Sequence, residues 1–234
     1  YRAVLSGTAE KSDEDSVFYR TEELERKTKN DAALSGYHSG TQFSSLMNLN
    51  VSHFYQDVGM EGGKNFYCAG GATPLLSAML SIRYVLADNA MEEGPLRTLV
   101  AQRGDTYLYE NAYVLPLGFM MDEDVAEKWD YAGGGDIGTQ NQLANLLGSD
   151  RLLLTAVESE SKAGESSFVA QDSAYYYATY SKTGVDNLQE QVSSGRTRGF
   201  TKVSHGYILD LGYCEAGEEV KVTNTANELV QLVV

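Results

Sequence analysis

Apolar residues recur along the chain with two different periods, and the change from one to the other divides it. From Phe43 to Val58 they fall at Phe43, Leu46, Met47, Val51, Phe54, Tyr55 and Val58. Steps of three and four place these side chains along one face of a helix. Ser44 or Ser45 stands where it can cap the start, and Gly59, followed by Gly62 and Gly63, where it can end it. Thr73-Pro74 predicts a second helix, because Pro at the first helical position gives up an N–H that has no intrahelical partner there. Leu75, Leu76, Met79 and Leu80 follow it. Ile82 to Ala87, β-branched and aromatic and running into Asp88-Asn89, reads as a buried strand. Leu96 to Ala101 and Thr106 to Tyr109 predict a hairpin about Gly104-Asp105, and Val114 to Met121 a further strand. Upstream, Ser16 to Thr21 alternates as a strand with Phe18 and Arg20 on one face and Tyr19 on the other. Glu22 to Lys29 is charged without an apolar stripe and reads as a solvated turn, a strand edge or a short exposed helix.

Past Trp129 and the run Gly133-Gly134-Gly135 the pattern shortens. Thr139 to Leu147 predicts one short helix with Leu143, Leu146 and Leu147 inward and Gly148 as its stop. Strand-length segments follow at Leu152 to Val157, Ala174 to Tyr180, Val185 to Gln191, Tyr207 to Leu211, Glu219 to Asn224 and Leu229 to Val234, separated by Gly, Ser, Asn and Asp. That spacing fits an antiparallel sandwich. The expectation is an α+β protein: a mixed α/β-type front region over residues 1–132, then a mostly antiparallel, β-sandwich-like region over 133–234.

Composition narrows the function classes. With 234 residues, 42% of them hydrophobic, the chain can bury one large or two modest cores. Its 33 acidic against 18 basic residues give a formal charge of −15. That argues against nucleic acid, whose phosphates need clustered Lys and Arg, and against a simple electrostatic hold on anionic lipid. The longest apolar stretches, Leu75 to Leu80 and Val114 to Met121, fall far short of the roughly 20 residues that cross a bilayer. A chain opening at Tyr1, without an initiator Met or a signal-peptide pattern, reads as a piece of a longer protein.

Local motifs give little chemistry. Cys68 and Cys214 have no metal-ligand spacing and read as free buried thiols. His38, His53 and His205 are scattered, and His205 with Asp210 lacks the G-x-S-x-G elbow that a hydrolytic triad needs. Gly62-Gly63-Lys64 and Ala69 to Pro74 lack a full phosphate-loop pattern and read as glycine turns. Acidic pairs two residues apart, Asp13 with Asp15, Asp122 with Asp124 and Glu158 with Glu160, could serve a glycosidase only if they faced one cleft. Tyr175, Tyr176, Tyr177 and Tyr180 alternate on a strand, where one face could stack on sugar and core packing is the plainer alternative. No cofactor and no metal are called for.

Five phrases carry a resemblance: Phe18-Tyr19-Arg20-Thr21-Glu22, Phe43-Ser44-Ser45, Ile82-Arg83-Tyr84-Val85-Leu86, Tyr109-Glu110-Asn111 and Leu115-Pro116-Leu117-Gly118-Phe119. With Lys29-Asn30-Asp31, Gly36-Tyr37 and Thr73-Pro74 between them, and a looser likeness at Gln140 to Leu143 and Gly206 to Thr223, their order resembles the outward-facing soluble part of the YfhO family of bacterial membrane proteins. The resemblance implies an extracytoplasmic domain of a polytopic parent related to lipid-dependent glycosyltransferases that decorate lipoteichoic acid or other surface polymers. It implies that the domain assists acceptor or substrate binding, with catalysis in the absent membrane part. Partners implied are the parent's own transmembrane region, a surface polymer and a polyprenyl-phosphate sugar. Motif positions carried over as candidate binding residues are Tyr19, Arg20, Asn30, Asp31, Tyr37, Ser44, Ser45, Glu110 and Asn111. Beside this stand a free-standing secreted carbohydrate-binding or adhesion module and, third, a polysaccharide hydrolase.

Overall fold

In the computed structural model, which describes residues 4–5, 18–91, 93–132, 135–162, 164–180, 187–201, 208–224 and 230–233, the front of the chain is organised by a parallel pair of strands far apart in sequence. The elements run β1 (Arg20–Glu23), α1 (Asp31–Ser35), β2 (Gln42–Phe43), α2 (Leu49–Asp57), β3 (Glu61–Gly63), β4 (Phe66–Cys68), α3 (Pro74–Met79), β5 (Ile82–Ala87), β6 (Arg97–Arg103), β7 (Thr106–Asn111) and α4 (Glu123–Lys128). One sheet has the order β1-β5-β7-β6, with β1 parallel to β5 and the other pairs antiparallel; a smaller one has the order β2-β4-β3. Because β5 lies inside its sheet and is covered on both sides, it is a continuous apolar run and not an alternating one. Val85 and Ala87 pack with Tyr55, Val58, Leu76 and Tyr109, while Tyr84 and Leu86 pack with Val4 and Leu108.

The expected strand over Ile82 to Ala87, the hairpin about Gly104-Asp105 and the start at Thr73-Pro74 are present. The first helix is shorter than the apolar spacing predicts. It begins at Leu49 and is capped by the Asn48 side chain, which accepts from the Asn50 N–H at 3.0 Å, in place of Ser44 or Ser45. Phe43 belongs to β2, and Leu46 and Val51 are exposed. The helix docks through Phe54, Tyr55 and Val58, three of the expected apolar positions, and through Ser52 beside them. The buried Ser52 hydroxyl lies 2.7 Å from the Gly63 carbonyl and 3.0 Å from that of Phe66, a polar contact with the β3–β4 hairpin that periodicity did not predict. Val114 to Met121 is a loop and not a strand, since Pro116 supplies no N–H and no described strand pairs with it. The charged run beginning at Glu22 starts inside β1, where Glu22 and Glu23 are buried.

The back of the chain opens with α5 (Gly135–Leu146), which packs on α2 and α4, and continues as β8 (Glu160–Lys162), β9 (Glu165–Val169), β10 (Ala174–Tyr180), β11 (Asn187–Val192), β12 (Thr197–Thr201), β13 (Leu209–Cys214), β14 (Glu219–Asn224) and β15 (Val230–Val233). Sheets of order β13-β10-β15 and β12-β11-β14-β9-β8, antiparallel throughout, enclose Phe168, Tyr176, Ala178, Leu188, Leu209, Leu211, Val220 and Val222. The architecture is α+β, with mixed elements in front and an antiparallel sandwich behind. In α5 Leu143 is buried, but Leu147, just past its end, is exposed. Leu152 to Val157 is not a strand: the Asn141 side chain bonds both the N–H and the carbonyl of Leu154, at 2.9 and 2.8 Å, doing the work of a neighbouring strand. Val185, Tyr207, Leu229, Val234 and the glycines at 133 and 134 lie outside the described residues.

Several contacts join front to back. The Ile208 N–H donates to the Gly59 carbonyl at 2.9 Å, Gln140 donates to the Val58 carbonyl at 2.8 Å, and Thr73 bonds Gln140. Gly71, at φ +85°, makes the junction possible, because a Cβ there would sit 2.5 Å from the Gly59 carbonyl oxygen and 2.9 Å from that of Ile208. Arg97 of β6 pairs with Asp210 of β13 at 3.0 Å.

Candidate functional site

A cleft of about 420 Å³ opens where β1, β5 and β7 end, lined by Phe18, Tyr19, Arg83, Glu110, Asn111, Ala112, Val114, Leu115 and Pro116. Its size falls in the range of roughly 300–1,000 Å³ typical of small-ligand clefts. Four of the five phrases singled out in the sequence contribute to its wall, although they are spread over about a hundred residues. The parallel register that sets Thr21 opposite Tyr84 brings Tyr19 beside the start of β5. Its ring meets that of Tyr84 edge to face at 5.2 Å, and the Arg83 guanidinium lies 6.0 Å from its centre.

The polar side of the cleft is a pair: Arg83 Nε donates to Glu110 Oε1 at 2.9 Å, with both side chains 29% exposed. A half-solvated pair of this kind contributes little to stability but presents a guanidinium and a carboxylate to a ligand. Asn111 is fixed within the protein, donating to the Ile82 carbonyl at 2.9 Å and accepting from Arg97 Nε at 3.4 Å. It therefore positions the end of β7. The rest of the lining from this stretch, Val114, Leu115 and Pro116, is apolar. Fixed polar donors and acceptors together with a tyrosine ring and an aliphatic wall suit a hydroxyl-rich ligand that also has an apolar face.

The nine candidate residues do not all gather here. Tyr19, Glu110 and Asn111 line the cleft. Arg20 is next in sequence but turns away, donating to the Leu80 carbonyl at 2.6 Å and lying 4.9 Å from the Phe18 ring. Asp31 and Tyr37 line a separate, small hollow at the far end of β1, and Asn30 stands next to Asp31 in the chain without lining it. There Asp31 accepts from the backbone N–H groups of Lys27 and Thr28 and from the Thr28 hydroxyl, which holds its carboxyl below the ordinary value despite partial burial. Asn30 accepts from the Phe43 N–H, and Tyr37 donates to Glu23 at 3.1 Å; these are turn-building contacts. Ser44 and Ser45 lie in the turn before α2, where Ser44 accepts from the Leu46 N–H. Arg83 is the residue missed from the candidates. Its signal was its place as the one charge in an otherwise apolar strand.

Beneath β1 lies a buried polar cluster. Glu22 accepts from the Ser39 hydroxyl at 2.8 Å, the Gly40 N–H at 3.1 Å and the Thr41 hydroxyl. Burial pushes its carboxyl above the ordinary value, more than these bonds and the nearby Arg26 pull it down. Arg26 and Lys29 both pair with the buried Glu61. In the sandwich a similar network joins Glu190 to Arg196 at 3.0 Å, and Arg196 donates to the Leu211 and Tyr213 carbonyls. The first cluster borders the small hollow at the far end of β1, with Arg26 and Lys29 partly exposed, and both clusters shape the fold.

The remaining sequence candidates resolve as structure. Gly62 packs so closely on α2 that a Cβ would meet the Ser52 carbonyl at 2.5 Å, which accounts for that glycine without a phosphate. Tyr176 is buried in the sandwich core, and Tyr177 is buried beside Leu154 and Ile208. Asp122, Asp124, Glu158 and Glu160 are exposed on loops and element ends, and Asp124 pairs with Lys128 at 2.6 Å. Cys68 and Cys214 are free and buried, with burial pushing their thiols up to about 12 and about 11. His205, Asp13 and Asp15 lie outside the described residues. Among the described residues no group of His, Cys, Asp and Glu could hold a metal ion, and no helix is long and apolar enough to cross a membrane.

No curated protein and no solved structure matches the chain. Residues 1–223 match the family described as bacterial membrane protein YfhO, and a match over nearly the whole length, including every phrase that builds the cleft, makes the chain a member of that family of bacterial membrane proteins.

Proposed function

We propose that this chain is the extracellular domain of a polytopic, lipid-dependent glycosyltransferase and that the cleft at the end of the front sheet binds the saccharide portion of acceptor or donor while the membrane-embedded part performs transfer. One observation carries the reading: Tyr19, Arg83, Glu110, Asn111 and Leu115, distant in sequence, converge on one cleft whose lining combines an ion pair with apolar side chains. Membership of a membrane-protein family supports a parent with transmembrane helices. The residues of the cleft hold and orient; Arg83 and Glu110 are engaged with each other, which suits recognition of hydroxyls better than proton transfer.

The test is binding of purified lipoteichoic acid, with and without its sugar substituents, to the chain and to the Arg83→Met and Glu110→Gln variants. The reading predicts at least a tenfold loss of affinity in Arg83→Met with folding retained. In cells, Arg83→Met in the whole protein should lower the sugar content of the surface polymer at unchanged protein level. A gene product without upstream membrane spans, or a variant with undiminished binding and polymer glycosylation, would overturn it. The secreted-module reading predicts tight binding to an unrelated glycan with no effect on surface glycosylation.

A further inference from the structure

The loop between β7 and α4 leaves the cleft as its apolar wall and then stands clear of the protein. The Leu115 N–H anchors it to the Ala78 carbonyl at 3.0 Å. Beyond that point Leu117 is 61% and Met120 fully exposed, Met121 is also exposed, and a Cβ added to Gly118 would meet nothing within 4 Å. Isolated exposed hydrophobes are ordinary, but at this tip Leu117, Met120 and Met121 are exposed within five residues, with the half-buried Phe119 between them.

The chemistry of the tip limits what covers it. No Lys or Arg occurs between Arg103 and Lys128, and Asp122, Glu123 and Asp124 follow directly. The tip therefore cannot be drawn to an anionic surface by charge; only removal of apolar area from water can hold it. Its side chains at Leu117 and Met120 stand in solvent, and such side chains can enter a fluid apolar medium without needing a complementary pocket. Its backbone N–H groups keep it at interfacial depth, where water still reaches them. The chain belongs to a family of membrane proteins, so a bilayer is the apolar medium at hand.

We propose that the tip Leu117 to Met121 inserts into the outer, interfacial layer of the bilayer and holds the mouth of the cleft at the membrane surface. Because Leu115 and Pro116 belong both to the loop and to the cleft wall, docking fixes the height of the Arg83–Glu110 pair above the lipid. The docking itself does not depend on the saccharide reading of the cleft: vesicle binding succeeds or fails whatever the cleft holds.

The experiment uses protein-free vesicles of phosphatidylcholine and, separately, of phosphatidylglycerol. The chain should co-sediment with the neutral vesicles and less with the anionic ones, and Leu117→Ser with Met120→Ser should reduce binding to neutral vesicles at least tenfold. Met120→Cys carrying an environment-sensitive fluorophore reads insertion directly, since Cys68 and Cys214 are buried and leave the new thiol as the reactive one; its emission should shift to the blue on neutral vesicles. Failure to bind vesicles would overturn the proposal and assign the tip to a protein surface such as the parent's own transmembrane helices. Binding that survives the double substitution, or that requires phosphatidylglycerol, would overturn it as well.

Discussion

Removing the Asp210 carboxylate should loosen the join between the front sheet and the sandwich. Arg97 Nη1 and Asp210 Oδ2 are 3.0 Å apart, with side chains only 14% and 21% exposed, and Asp210 also accepts from the Gly212 N–H at 2.8 Å. Truncating one member of a fully buried pair costs about 3–5 kcal/mol, because the other charge is stranded. Here some water reaches both groups and Arg97 keeps its bond to Asn111, so Asp210→Ala should cost about 2–3 kcal/mol. For a chain of this size that is a fall in Tm of about 4–12 °C. Arg97→Met should cost a similar amount. The double variant Arg97→Met with Asp210→Ala strands neither charge and should lose less than the sum by at least about 1.5 kcal/mol.

Urea unfolding of the four proteins at several pH values tests both the size and the cause. Arg97 is the main group holding the Asp210 carboxyl below its ordinary 3.8 against the opposing effect of burial. The folded value is therefore the lower one, and the stability from this pair is fully present above the ordinary value and lost as pH falls through the folded one. The gap between wild type and Asp210→Ala should stay constant from pH 7 to about 5 and close only below about pH 4. Additive single and double variants, or a gap that already narrows between pH 7 and 5, would refute the pair as the clamp.

Glu22 has the opposite sign. Burial raises its folded value above 4.5, so its contribution is full below 4.5 and is lost as pH rises through the raised value; Glu22→Gln should gain on wild type between pH 4.5 and 7, read as the difference in urea midpoints. Ser81 sits at φ +56° with a buried hydroxyl that has no hydrogen-bond partner among the described residues, so Ser81→Gly should stabilise by about 1 kcal/mol in thermal melts. Gly71→Ala combines a positive φ with two backbone oxygens under 3 Å from the new Cβ and should cost more than about 2 kcal/mol, visible as early loss of the cooperative transition. Asn48→Ala removes the cap of α2 and should cost about 1 kcal/mol by the same melts.

What could be read in the sequence follows the range of the forces involved. Ala174–Tyr180 and Glu219–Asn224 agree to the residue because alternation and flanking turn residues are local signals, and Thr73-Pro74 marks α3 for the same reason. Val114 to Met121 and Leu152 to Val157 misled because apolar content was read as burial. In the first a projecting loop exposes its apolar residues, and in the second the Asn141 side chain supplies the hydrogen bonds that a strand partner would have given. The β8–β9 hairpin, Glu160–Lys162 and Glu165–Val169, is polar over most of its length, and β12, Thr197–Thr201, is interrupted by Arg198 and Gly199, so neither presents a continuous apolar or alternating run.

The candidate site divides along the same line. Phe18-Tyr19 and Ile82 to Leu86 are each legible as strands or strand ends, yet nothing within about sixty residues of chain states that the two run parallel and adjacent. That pairing is decided by burial on both faces of β5, which needs a neighbour on its open edge, and its register is decided side chain by side chain. Tyr19 meets Tyr84, and Thr21 lies opposite Tyr84 across a local irregularity after Arg20. A slip of one residue would exchange the faces of β1, sending the buried Thr21 and Glu23 where Glu22 now meets Ser39 and Thr41, and would carry Tyr19 out of the cleft. The buried Glu22 cluster is therefore what places Tyr19. The carboxylate is costly where it stands, since burial outweighs its bonds, but those bonds to Ser39, Gly40 and Thr41 are available in this register alone, and the register assembles the cleft from residues that no local motif connects.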